Sequence, residues 1–262
     1  MPDEILVRDE QRVRWITINR PEVKNALTID VNRAIIAAVD EAAASRELRV
    51  VVLAGAGGNF CSGLDLKQAG AAGIGGMEGV EQRMRTYFHG LVRALRACPK
   101  PTIAFVDGAA AGFGCDLALA CDLRLATDRA RFSELFVRRG LMPDGGGTWT
   151  LPRLIGLARA LEMMFTGEPM DAAEALRTGL VNRVVPAAEG EHACRALALA
   201  CARGAPLVHA KVKRALYAAL ASDFDAALEA ECRGQLELLR SKDFVEGFTA
   251  FFQKRDPDFK GE

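Results

Sequence analysis

"TIAFVDGAAAGFGCDLALAC", residues 102–121, is the stretch on which the fold turns. Its length and apolar content suit a membrane-spanning helix. Asp107, Asp116 and the glycines at 108, 112 and 114 argue against one, because charges and chain breakers are costly at bilayer depth. It reads better as three pieces. "TIAFV" has the continuous apolar run of a strand buried on both faces, "AAAGFG" is a glycine-rich turn, and "CDLALACD" is a short helix.

The same order occurs upstream. "RVVVLAG" (49–55) is a second buried-strand run, followed by the glycine-rich "AGAGGNFCSG" (54–63). Strand, glycine turn and helix thus recur at a spacing of roughly 50 residues, which predicts an α/β fold. Further out, "ILV" and "VRWITIN" predict an opening β-hairpin. Thr28 is placed to cap a helix whose Val31, Ile35, Ala38 and Val39 share a face and which ends near Ser45. Residues 81–97 predict another amphipathic helix, closed by "PKP", and "LRLAT" and "ARFS" predict strands. Beyond Leu154 helices are expected at 156–165, 171–177, 187–203, 206–221, 223–240 and 242–253, with "LVNRVV" a strand between them. A core over 1–200 and a C-terminal helical region over 201–262 is the expected division. Phe244, Phe248, Phe251 and Phe252 at helical spacing ask for a covering surface, from another subunit or from the chain itself.

The 34 basic and 34 acidic residues cancel. No net field is available to hold nucleic acid or an anionic membrane, so an anionic ligand needs a local cluster. Seven cysteines lie mostly in apolar runs without a CxxC pair, as expected for small buried hydrophobes in a reduced compartment. The charged start "MPDEILVRDE" lacks an apolar signal core. A cytoplasmic protein without a metal site or bound cofactor is the expectation.

Each glycine turn is expected to open a helix, leaving the backbone N–H groups of Ser62 and Phe113 unpaired. Two such donors would bind a developing oxyanion. "GLMPDGGG" (140–147) places Asp144 between a proline and three glycines. Its carboxylate is either a helix cap or a group held over a substrate.

Taken together, "INRPEVKNAL", "VVLAGAGGNFCSGLDL", "PKPTIAFVDGAAAGFGCDLALACDLRLAT", "GLMPDGGGTWTLPRLIG" and "FFQKRDPDFKG" resemble the crotonase, or enoyl-CoA hydratase/isomerase, superfamily from about residue 5 to 260. The resemblance implies a spiral of ββα units with a C-terminal helical trimerisation region, assembled as a homotrimer or a dimer of trimers. It implies an acyl-CoA substrate, coenzyme A being part of that substrate, with the thioester oxygen between the N–H groups of Ser62 and Phe113. Lys24, Ala26, Leu27, Ser62, Leu64, Asp65 and Leu66 match coenzyme A positions, and Phe251 and Lys254 match positions that reach the coenzyme A of a neighbouring subunit.

Hydratases of the family carry two glutamates. Asp116 occupies the place of one, and Phe136, four residues before Gly140, the place of the other. Glu134 lies two residues away and is not a substitute on sequence alone. Asp144 matches an aspartate of the family's isomerases and of a dehalogenase. The resemblance therefore implies enoyl-CoA isomerisation by Asp144, with hydration by Asp116 and Asp144 as an alternative. A further alternative is hydrolysis or dehalogenation with Asp144 as nucleophile and His89, twelve residues before Pro101, activating water. A catalytically silent acyl-CoA-binding or RNA-binding relative is the non-enzymatic rival, with charge neutrality against RNA and the retained acid against silence. Residues 67–84 are glycine-rich and read either as a mobile lid, with Met77, Met84, Tyr87 and Phe88 lining the acyl site, or as a disordered surface loop.

Overall fold

The computed structural model describes residues 4–65 and 76–262, the side chains of 76–78 excepted. The hairpin forms as expected, β1 (Ile5–Glu10) pairing antiparallel with β2 (Val13–Ile18). To it are added in parallel β3 (Val50–Gly55), β4 (Thr102–Val106), β6 (Leu123–Thr127) and β9 (Arg183–Val185), giving a six-stranded sheet in the order β1-β2-β3-β4-β6-β9. β5 (Ala109–Ala111), β7 (Arg131–Ser133) and β8 (Met170–Asp171) make a smaller sheet.

The alternation of a strand explains why β3 is apolar throughout. Val50 and Val52 belong to a cluster with Trp15, Ile103 and Leu125 that receives Leu197 and Ala198 of the helix Gly190–Ala202. Val51 and Leu53 point the other way, into the main core with Ile16, Ile35 and Leu91. Helix α1 (Ile29–Ala44) covers that side. Its Thr28 side chain accepts the Val31 N–H, its buried face carries Val31, Ile35, Ala38 and Val39, and it stops at Ser45.

Beyond the main strands the chain makes a second level of pairing. Leu27 bridges Leu64, and Cys61 bridges Ala110, whose strand pairs with Phe132. These rungs stack the two glycine turns side by side.

Several elements differ from expectation. Helix α2 begins at Gly76 rather than 81 and runs through a π-helical turn, Met84–Phe88, into α3 (His89–Ala97). The second half of the proposed lid is therefore helical; residues 66–75 and the Met77 side chain lie outside the described residues. Only 183–185 of "LVNRVV" is strand, since Leu180 and Val181 are buried in the turn before it. Cys232 is exposed, whereas Cys61, Cys98, Cys115, Cys121 and Cys194 are buried. Among the described residues no helix is long and apolar enough to cross a membrane, and no group of three or more His, Cys, Asp or Glu side chains could hold a metal ion.

Candidate active site

The site grows from the loop "RPEVKNAL" locked against the first glycine turn. Lys24 and Asn25 adopt left-handed backbone angles, φ 52° and 59°, a conformation that asparagine tolerates better than most residues. Asn25 is fully buried. Its side-chain oxygen accepts the Arg20 N–H, and its amide donates to the carbonyls of Ala56 and Asn59. Arg20 donates to the Ala26 carbonyl at 2.6 Å and pairs with Asp65 at 3.0 Å. Neither Asn25 nor Arg20 stands out in the sequence, although an asparagine in the loop between a strand and a helix tolerates the left-handed turn it takes here.

This pairing decides which amides are free, and it corrects one expectation. The Ser62 N–H donates to the Lys24 carbonyl at 3.0 Å, and the Ser62 hydroxyl donates to the Val23 carbonyl at 3.1 Å. Ser62 is therefore not an unpaired donor. The described part of this turn does not open a helix; it forms one parallel rung. Leu27 N–H donates to Gly63 O and accepts, through its carbonyl, the Asp65 N–H. Since extended backbone alternates its polar groups, the Leu64 N–H faces away from Leu27, and it has no hydrogen-bond partner among the described residues.

The second turn keeps its expected role. Helix α4 (Phe113–Ala120) starts after Gly112, whose φ of 55° suits glycine, and the Phe113 N–H is the first donor of that helix. The two turns touch through glycine. A β-carbon on Gly63 would lie 2.8 Å from Ala111 O and 3.4 Å from Phe113 N, and one on Gly114 would lie 2.2 Å from Cys61 O. Leu64 and Phe113 therefore present their amides from adjoining turns.

Both residues line one cavity with Ser62, Gly63, Gly112, Phe88, Leu135, Phe136, Arg139, Leu141 and Asp144. Phe88 meets Phe113 edge to face, ring centroids 5.2 Å apart. Met84 and Tyr87 do not line it; Tyr87 accepts a hydrogen bond from Arg33 at 3.2 Å. Phe136, at the second hydratase position, is buried and apolar.

Asp144 does not cap the following helix. α5 (Gly147–Ile155) has Gly146, φ 91°, as its cap residue with no side-chain bond. Asp144 is half-buried and its Oδ1 has no hydrogen-bond partner. Burial raises its pKa above the ordinary aspartate value, and nearby His89 partly offsets the rise. Asp116 lies behind the same turn, 1% exposed, and accepts the Gly145 N–H at 2.8 Å. Burial lifts its pKa to about 7, against the Gly145 hydrogen bond and with the Asp144 charge adding to the rise. Asp116 is not among the residues lining the cavity.

Of the proposed coenzyme A positions, Leu27 is fully buried, so its contribution is the placement of Leu64. Ala26 is buried, and Asp65 is engaged with Arg20. Leu66 lies outside the described residues. Phe251 and Lys254 sit exposed at the end of the last helix, Lys242–Gln253, apart from the cavity residues.

Comparison with known proteins identifies the family. Residues 8–262 match the family model described as enoyl-CoA hydratase/isomerase. A "probable enoyl-CoA hydratase" of Rhodobacter capsulatus is 45% identical over 94% of this chain and 93% of its own length. The 1,2-epoxyphenylacetyl-CoA isomerase of Escherichia coli is 33% identical over the full length of both. Among solved structures, an enoyl-CoA hydratase from Bacillus anthracis superposes with a TM-score of 0.94 at 32% identity, covering 99% of this chain and all of that one.

Proposed function

Because the chain belongs to the enoyl-CoA hydratase/isomerase family, and is thus an acyl-CoA enzyme, we propose that it shifts the double bond of an enoyl-CoA thioester. The supporting observation is that, among the described residues, Asp144 is the carboxyl group lining the cavity with Leu64 and Phe113, while Asp116 and Glu134 are sealed behind it. In this reading the Leu64 and Phe113 amides donate to the thioester oxygen. Asp144 takes a proton from C2 of a 3-enoyl-CoA, and the electron pair spreads into a dienolate whose negative charge rests on that oxygen. The same carboxyl returns the proton at C4, giving the 2-enoyl isomer with no water consumed. A raised pKa makes Asp144 the stronger base, and each well-aimed amide stabilises the enolate by about 3 kcal/mol.

Incubation with 2-enoyl- and 3-enoyl-CoA in deuterated buffer tests this. Bond migration with deuterium at C2 and C4 is the expected result. Asp144→Asn should lower turnover roughly 10³-fold while sparing coenzyme A affinity; a variant within a few-fold of wild type refutes the reading. A 3-hydroxyacyl product would favour the second reading, hydration by Asp116 and Asp144, which has the name of the Rhodobacter relative behind it. Release of free coenzyme A would favour Asp144 and His89 acting as a hydrolase pair.

Assembly as a homotrimer or dimer of trimers belongs to the same proposal. Leu216, Phe224, Val245, Phe248, Phe251 and Phe252 are each more than half exposed on the last three helices, and a cavity of about 770 Å³ opens between Pro206–Ala219 and Phe224–Leu238. Covering these faces would bring Phe251 and Lys254 to a neighbour's coenzyme A.

A further inference from the structure

Behind the turn that carries Asp144 lie two carboxyl groups that this chemistry leaves unused. Asp116 reaches the turn from α4, and Glu134 from the residue after β7; they are 1% and 0% exposed. Asp116 Oδ2 accepts the Gly145 N–H, but Asp116 Oδ1 and both oxygens of Glu134 are buried without a well-formed hydrogen bond, their polar neighbours being the Gly147 N–H for Asp116 and the Cys115 thiol for Glu134. The two groups converge on Gly147. A β-carbon there would lie 2.2 Å from Asp116 Oδ1 and 3.4 Å from Glu134 Oε1. Two adjacent buried carboxylates repel, and unpaired buried oxygens are costly. A single proton between them relieves both conditions.

We propose that Glu134 is a positioning residue for Asp144: as a neutral acid it donates its proton to Asp116 Oδ1, and the joined carboxyls hold the Gly145–Gly147 backbone and so fix the Asp144 side chain over the cavity. Glu134 is the partner that keeps the proton, since burial and then the Asp116 charge drive its pKa well above the ordinary value. Other groups facing the pair are Asp144 on the turn, with His89 of α3 beside it, and Cys115 of α4. The inference rests on the Asp144 reading above. Its consequence is an alkaline loss of turnover: when Glu134 ionises, the pair becomes doubly negative and pushes on the turn.

Glu134→Gln keeps the shape and an N–H donor but cannot ionise. Turnover at pH 7 should stay within about 3-fold of wild type, with the alkaline fall removed or moved up by about one pH unit or more. Glu134→Leu, which removes the donor, should lower kcat roughly 10-fold or more with KM little changed. Melting temperature without substrate gives a second readout. A carboxyl whose pKa is raised on folding loses its stabilising contribution as pH climbs from the unfolded pKa through the folded one. The Gln variant should therefore gain on wild type in melting temperature from pH 5 to pH 9. A Gln variant with the wild-type pH profile, or one indistinguishable from the Leu variant, overturns the proposal. Asp144→Asn tests the underlying reading separately, because it removes the carboxyl at the cavity and leaves both carboxyls of the pair in place; loss of its charge eases the repulsion on them, so it should not bring in the alkaline fall.

Discussion

The two glycine turns supply one amide each, by different means. At Cys61–Asp65 the donor is left over from a ladder: Leu27 takes up the alternate polar groups of the turn, Lys24 takes the Ser62 N–H, and Leu64 remains. At Gly112–Asp116 the donor is left over from a helix, whose first N–H groups have no partner one turn back. A helix start positions its amide through local sequence. A ladder does so through contacts made across some 40 residues, so it is the more easily displaced of the two.

The strongest way to break this comparison is to separate the turns. Gly114→Ala would place a β-carbon 2.2 Å from Cys61 O and 2.8 Å from Cys61 C. The obstacle is backbone on both sides, so a turn must move. A loss of about 3 kcal/mol in stability and roughly 100-fold or more in turnover is expected from such overpacking beside the two proposed donors. Denaturant titration and steady-state kinetics check it. Gly63→Ala should be milder. Its β-carbon meets Ala111 O at 2.8 Å from a backbone with φ 95°, a conformation that disfavours alanine. About 2 kcal/mol and roughly 10-fold in turnover are expected. A Gly63 effect exceeding that of Gly114 would mean that the ladder, not the helix start, anchors the pair.

The same difference explains what could be read from sequence. Val50–Leu53, Thr28 and the helix after Gly112 were legible because each depends on residues within a few positions: alternation, a capping hydroxyl, a glycine before a helix. The turn at Asp144 is also local, but its residues leave a helix cap and a site group equally open, and it is the Gly146 cap and the unpartnered Asp144 Oδ1 that exclude the first. The sequence points to Ser62 as the unpaired amide of the first turn, and the structure pairs it with Lys24 instead, a choice made by Lys24 and Leu27 that no local pattern encodes. β5 and β8, three and two residues long, lack the length that alternation needs to show. Glu134 is visible in sequence as an acid two residues from Phe136, but only the convergence of helix α4 and the end of β7 on Gly147 gives it Asp116 as a neighbour.

Ser62 offers the smallest effect and the sharpest discrimination. Its side chain faces Val23 O at 3.1 Å, so Ser62→Ala removes one hydrogen bond of the loop, worth about 1 kcal/mol. Turnover should change less than about 3-fold, because in the ladder arrangement the Ser62 hydroxyl is turned to Val23 O and its N–H to Lys24 O, so the side chain props the turn and donates nothing to the thioester. The amides themselves can be followed by nuclear magnetic resonance as an unreactive acyl-CoA is added. Leu64 and Phe113 protons should move downfield as they take up the thioester oxygen, while the Ser62 proton, already bound to Lys24, should stay where it is. A downfield shift at Ser62 with none at Leu64 would mean that the ladder slips by two residues on binding, and the first turn would then differ from the second in being rebuilt by its ligand.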